Sequence, residues 1–318
     1  MSKKQSIMFL FVLGWVCLSM PINLSAQQTA HDLVARMFDR SKQLSYSGLF
    51  TYEMAGEQRT VKVSHQVSDG AVYERITHMD GPVKDRLRQS VGNHCNFRDA
   101  SSLQAQDYYR FDILDESRVA GREVHRVRVS PKDSLRYGYL YAIDQQTGLM
   151  LQSMLVNQSG QPLENFKYMD ISIGPVADDL SLIASPAEFE TPTSSDCASD
   201  LQALGSRSFE WSVGWVPPGF VQVSRRVTED GRKSMAYTDG IAVFSVLIDV
   251  PSASPVHPGL SARLGPTQMV VINREHDDSH YRVAVSGQMP QATASRIALS
   301  IKPVVANQRE PDMESLNQ

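Results

Sequence analysis

The stretch Tyr46-Ser47-Gly48-Leu49-Phe50-Thr51-Tyr52-Glu53-Met54, followed by Ala55-Gly56-Glu57, decides the reading of this chain. Tyr46, Phe50, Tyr52 and Met54 fall on one side of a period-two alternation, the spacing of a half-buried strand. After the Ala-Gly turn the alternation resumes. Val61, Val63, His65 and Val67 oppose Thr60, Lys62, Ser64 and Gln66. Ser68-Asp69-Gly70 leads into Val72–Met79, and Asp80-Gly81-Pro82 turns the chain again. Short alternating runs joined by Asp-Gly turns predict an antiparallel meander.

The pattern extends in both directions. Upstream, Ala30, Leu33, Val34, Met37 and Phe38 recur at helical steps, predicting an amphipathic helix over 28–43 with Thr29 as N-cap and Asp32 three residues on. Downstream of an irregular stretch at 92–107, strands are expected at Tyr108–Leu114 and Glu123–Val129, with Asp112, Asp115 and Glu116 marking a strand end. Tyr137, Tyr139, Tyr141 and Ile143 share a face. Asp144–Gly148 is a hairpin loop, and Leu149–Asn157 and Glu164–Ile173 complete the meander. About nine strands thus lie between 45 and 173, and so wide a sheet curls. Its apolar face must be covered. The aromatic and aliphatic candidates Phe50, Tyr52, Tyr137, Tyr139, Tyr141, Leu149 and Leu151 are either an ordinary core or the wall of an apolar cavity for an acyl chain or hydrophobic peptide.

The Ser, Pro and Thr content of 185–208 reads as a linker. A second unit follows over 209–303. Strands are expected at Phe220–Val227, and a hairpin joins Ser234–Thr238 to Ile241–Val250 across Asp239-Gly240. A loop is expected over 251–265, strands near 267–273 and 281–286, and a helix from Pro290 to Ile301 with Ala294, Ile297 and Ala298 inward. The fold class is therefore α+β, mostly antiparallel β. Residues 304–318 are polar and are expected to form a flexible tail.

The chain has 318 residues, 42% hydrophobic and 21% charged, with 31 Lys+Arg against 35 Asp+Glu. This is a globular composition without the basic excess of a nucleic-acid or anionic-membrane binder. At the N-terminus, Lys3 and Lys4 precede the apolar run Ile7–Leu18, Pro21 breaks it, and Leu24-Ser25-Ala26 offers a cut after Ala26. That layout predicts a secretory signal over 1–26, since the run is short for a membrane anchor. Cleavage removes Cys17 and leaves Cys95 and Cys197, a candidate disulfide in an oxidising compartment. The sequence contains no G-x-S-x-G, G-x-G-x-x-G or phosphate-binding loop motif. His276 and His280 have a metal-ligand spacing but sit at a polar turn, so no metal or other cofactor is expected. No catalytic residue is expected either.

The motifs Trp215-Val-Pro-Pro-Gly-Phe220, Met235-Ala-Tyr-Thr-Asp-Gly-Ile-Ala-Val-Phe-Ser-Val246, Arg282-Val-Ala-Val-Ser-Gly287 and Met289-Pro290 resemble the C-terminal domain of the RseB/MucB family, periplasmic negative regulators of the envelope-stress sigma factor sigma-E. Tyr46–Tyr52, Glu74-Arg75-Ile76 and Ile143–Leu149 are similar to that family's N-terminal meander. The resemblance runs in order over nearly the whole mature chain. It implies that residues 27–184 form a half-open barrel similar to the LolA/LolB lipoprotein carriers, followed by a smaller domain that binds the periplasmic segment of a membrane anti-sigma factor and shields it from site-1 proteolysis. Lipopolysaccharide or a mislocalised lipoprotein would release the partner. Aromatic and Arg side chains dominate binding hot spots, which points to Trp215, Phe220, Arg225, Arg226, Tyr237 and Phe244, with core packing as the other use of Trp215 and Phe244. A carrier of lipid or lipoprotein is the alternative function. Homo-oligomerisation is left open, and nucleic acid is not an expected partner.

Overall fold

The computed structural model describes residues 29–82, 84–91, 104–176, 211–228, 230–249, 260–276 and 278–304, with side chains of 88–91 left aside. The expected signal, the linker, Cys95, Cys197 and the tail beyond Val304 lie outside these residues.

Helix α1 (Ala30–Gln43) starts where its capping residues place it. The Thr29 hydroxyl accepts from the Asp32 amide at 3.1 Å, and the Asp32 carboxylate accepts from the Thr29 amide at 3.3 Å. The two bonds satisfy donors that a helix start otherwise leaves open. The hydrogen bonds from Thr29 hold the Asp32 carboxyl below its ordinary value. The helix buries Leu33, Val34, Met37 and Phe38.

Nine strands follow: β1 (Tyr46–Met54), β2 (Glu57–Ser68), β3 (Ala71–His78), β4 (Asp85–Val91), β5 (Tyr109–Val119), β6 (Arg122–Pro131), β7 (Gly138–Asp144), β8 (Met150–Val156) and β9 (Pro162–Ile173). They form one antiparallel sheet in the order β4-β3-β2-β1-β9-β8-β7-β6-β5. Two meanders are joined where β9 returns to β1, and β4 and β5 do not pair with each other, so the curl remains a half-open barrel. The β1–β9 seam requires Gly48: a Cβ there would stand 2.5 Å from the Asp170 carbonyl oxygen, beside a register shift at Leu49/Phe50.

Two local expectations change. The strand expected to end near Asp115 and Glu116 runs on to Val119, across a register shift between Ile113 and Glu116. Asp115 is accommodated on its exposed side by Arg126 at 3.0 Å. A single helical turn, α2 (Ala105–Tyr108), precedes β5.

The second sheet contains β11 (Val221–Val227), β12 (Lys233–Thr238), β13 (Val243–Ile248), β14 (Leu260–Leu264), β15 (Thr267–His276) and β16 (Ser279–Gln288). Its order is β11-β12-β13-β16-β15-β14. β14 falls inside the expected 251–265 loop, because five residues with Ser and Arg among them carry too little alternation to read as a strand. Helix α3 (Gln291–Ser300) and the short pair β10 (Trp211–Val213) and β17 (Ile301–Pro303) flank this sheet. Ala294, Ile297 and Ala298 of α3 are fully buried against Phe244, Val246, Val283 and Val285.

Candidate binding surfaces and the joint between the sheets

Tyr139 and Tyr141 project from β7 under α1. Their rings stack at 5.5 Å, and Phe38 meets Tyr141 edge-on at 6.3 Å. Only 4% and 2% of these two tyrosines is exposed. Tyr137 is also buried, and Leu149 and Leu151 are buried in a neighbouring cluster with Val63, Ala142 and Tyr168. These five of the seven expected cavity residues are therefore packed core here. For the three tyrosines the physical reason is where α1 lies: its apolar stripe closes over the β5–β8 half of the sheet, whereas Leu149 and Leu151 pack among strand side chains.

Phe50 and Tyr52, on the other half, stay half-buried and line an apolar cavity of about 590 Å³. Phe166 stands 4.6 Å from Phe50 across the β1–β9 seam, and Val61 and Ile76 extend the wall. Leu264, from the tip of β14 in the second sheet, completes it. Sequence reading missed Leu264, because nothing local brings residue 264 to residue 50. Burial, with the charge of Glu164 behind it, pushes the Tyr52 hydroxyl well above the ordinary phenol value, so it stays a neutral hydrogen-bonding group at the cavity mouth.

The two sheets meet around one buried ion pair. Arg136 and Asp239 are both fully buried, with Nη1 2.5 Å from Oδ2. The Tyr109 hydroxyl donates to the same carboxylate oxygen at 2.9 Å. The other oxygen accepts the Ile241 and Ala242 amides at 3.0 and 2.7 Å. Arg136 also donates to the Pro218 carbonyl at 2.7 Å and to Asp133 at 3.0 and 3.1 Å. Its guanidinium lies over the Tyr108, Tyr109 and Phe220 rings at 5.1 to 5.4 Å. Burial alone would lower the Arg136 pKa, but Tyr109, Asp239 and Asp133 outweigh it and raise the value. Burial first, then the Asp239 charge, drives the Tyr109 hydroxyl well up. Asp239-Gly240 is the hairpin turn expected from the sequence. What the sequence did not reveal is that the turn's carboxylate inserts under the first sheet, carrying Ile241 into the α1-side core.

The expected partner contacts are dispersed. Tyr237 stacks on Phe244 at 4.9 Å and Phe220 lies 5.2 Å from Phe244, so these three are core of the second unit. Trp215 is half-buried beneath the Arg296 guanidinium, 3.8 Å from its ring centre. Arg225 and Arg226 are half-buried on β11, where burial lowers the Arg225 pKa. His280 pairs with Glu275 at 3.3 Å. Among the described residues no group of three or more His, Cys, Asp or Glu is placed to hold a metal.

Comparison with known proteins matches the MucB/RseB N-terminal domain model to residues 29–105 and 96–187, and the MucB/RseB C-terminal domain model to residues 205–302. The Pseudomonas aeruginosa sigma factor AlgU regulatory protein MucB is 34% identical over 307 residues, covering 88% of this chain and 93% of that protein. The sigma-E factor regulatory protein RseB of Escherichia coli K12 is 25% identical over 313 residues, covering 88% and 92%. Among solved structures, the complex of P. aeruginosa MucA/MucB aligns with a TM-score of 0.69 at 31% identity, covering 87% of this chain and 99% of that one.

Proposed function

This chain belongs to the MucB/RseB family, and from that premise we propose that it is an exported regulator acting in the periplasm. In this reading it binds the periplasmic segment of a membrane anti-sigma factor of the RseA/MucA type. It shields that segment from site-1 proteolysis and so restrains a sigma-E-type factor. The observation that carries the reading is the end-to-end likeness, in sequence and in fold, to MucB as it occurs in the MucA/MucB complex. The test uses the full mature chain. It should retain the anti-sigma periplasmic segment in a pull-down and slow its cleavage by the site-1 protease. Absence of both effects refutes the reading.

An acylated ligand, lipopolysaccharide or a mislocalised lipoprotein, is the releasing signal in this proposal, and the cavity walled by Phe50, Tyr52 and Phe166 receives its chain. Each methylene buried there contributes about 0.8 kcal/mol before ordering costs. Five of them are enough to shift a two-state equilibrium by several kcal/mol, provided the ligand favours the partner-free state. Phe50→Asp should leave partner binding intact and abolish ligand-driven release. The same cavity favours a second reading, a lipid or lipoprotein carrier. Acyl-chain binding without any retention of the anti-sigma segment would select it.

A further inference from the structure

The second sheet presents two faces of different character. α3 covers the one bearing Phe244, Val246, Val283 and Val285, none more than 1% exposed. On the other face the strand register aligns Ser234, Leu247, Ala284, Val271 and Leu260 in a single row across β12, β13, β16, β15 and β14. Five strands at their usual separation make that row about 19 Å long. The adjacent row holds Ser245, Ser286, Met269 and Ala262. An antiparallel sheet with one wet face ordinarily carries polar residues there. Here Leu247, Leu260 and Met269 are 49%, 63% and 39% exposed, over a groove of about 690 Å³.

One end of the groove is charged. Arg282 and Arg232 both approach Asp249, Arg232 at 3.9 Å, and Arg232 also pairs with Asp230 at 2.8 Å. With Lys233, three cations face two carboxylates, so the rim is net positive. The small side chains of Ser245, Ser286, Ala284 and Ala262 leave room for a close backbone approach. A helix about 10 Å wide covers two adjacent rows, whereas an extended peptide would add at a sheet edge instead. A second helix would also give the sheet the cover on this face that α3 supplies on the other.

We propose that this face docks an amphipathic helix of the anti-sigma partner, its apolar side on Leu247, Val271, Leu260 and Met269 and its acidic flank toward Arg232 and Arg282. The proposal rests on the regulatory reading above and names the surface that reading requires.

The first test needs no mutation. In the free mature chain, dilute peroxide should oxidise both Met269 and Met169, the latter 58% exposed on β9 of the other sheet. Saturation with the anti-sigma periplasmic segment should slow Met269 oxidation at least fivefold and leave Met169 unchanged, read by peptide mass spectrometry. The second test compares affinities. Leu247→Asp and Leu260→Asp should each weaken the segment by about tenfold or more, while Leu299→Asp, at a 66% exposed site on α3, should not. If the segment binds but Met269 stays unprotected, or both face variants bind at full strength, this docking surface is overturned while the regulatory reading stands. Slow Met269 oxidation in the free chain also overturns it, because another part of the chain or a second copy then occupies the face. No binding by the unmutated chain overturns the regulatory reading and this proposal together.

Discussion

Replacing Arg136 by Met tests whether the joint between the sheets exists in solution as described. Methionine keeps most of the apolar stem and removes the charge. Asp239 would then be a fully buried carboxylate without its counter-ion. Breaking a buried pair from one side costs about 3–5 kcal/mol. Asp239 keeps the Tyr109 hydroxyl and two backbone amides, which places the expected loss at the lower end, about 3 kcal/mol. For a chain of this size that corresponds to roughly 5 °C in Tm. Differential scanning calorimetry at pH 7 is the assay, with circular dichroism confirming the native fold below the transition. The double variant Arg136→Met/Asp239→Asn separates charge from packing. Because it leaves no unpaired charge, its loss should be smaller than the sum of the single losses by at least ~1.5 kcal/mol. If Arg136→Met melts within about 1 °C of the parent, the pair is hydrated in solution and the two sheets are not joined through it.

Two further outcomes follow from the same geometry. Gly219 sits at φ +88°, where a Cβ would stand 2.2 Å from the Tyr108 ring. Gly219→Ala should therefore cost about 1–3 kcal/mol and combine non-additively with Arg136→Met in denaturant titrations, since both act on one joint. Asp144 is buried, and burial alone would raise its pKa. The Arg122 bonds at 2.7 and 3.0 Å and the Thr147 bonds outweigh burial and lower it. A lowered folded value means this contribution is complete above the unfolded carboxylate value of about 3.9 and is lost as pH falls below it. Urea unfolding should show Asp144→Asn destabilised at pH 7, with the gap to the parent narrowing toward pH 3. A gap independent of pH would refute that assignment.

The alternation around Tyr46–Met54 and the turns that follow it were enough to place eight of the nine strands in hairpin order, because side-chain period and turn chemistry are local properties; β4 (Asp85–Val91) was not placed. The α1 cap at Thr29 was legible for the same reason. The cavity was only half legible. Alternation reveals which residues share a face but not which part of that face a helix will cover. Tyr139 and Phe50 looked equivalent, and α1 buries the first and leaves the second open. The Arg136–Asp239 pair joins residues 103 positions apart, and an Asp in an Asp-Gly turn reads as turn chemistry whether or not its carboxylate is buried. The open face of the second sheet was hidden in the same way. Leu247 looked like an ordinary strand residue and Leu260 lay in the expected 251–265 loop, until the register put them in one row.

The cavity and the open face share one short strand. Leu264, at the end of β14, walls the cavity beside Phe50 and Tyr52, and Leu260, at its start, belongs to the docking row. Gly265 presses on Met54, where a Cβ would come within 2.1 Å of Cγ. Four residues of extended chain separate the two leucines by about 13 Å, and among the described residues β14 pairs on one side only, with β15. If an acyl chain displaces Leu264, the strand that moves is the one carrying Leu260, and ligand-driven release then requires ligand and partner to prefer opposite positions of β14. Such coupling is reciprocal: the factor by which the ligand weakens the partner must equal the factor by which the partner weakens the ligand. A tenfold effect is about 1.4 kcal/mol in either direction. Titrating an acylated ligand into the chain with and without the anti-sigma segment should return the same factor as the reverse experiment. Leu264→Ala, which shortens the wall but leaves Leu247, Leu260 and Phe50 in place, should preserve both affinities to within a few-fold and bring the factor toward one. If Leu264→Ala keeps the full factor, release does not pass through β14, and the ligand must act on the partner by direct competition or through the Arg136–Asp239 joint.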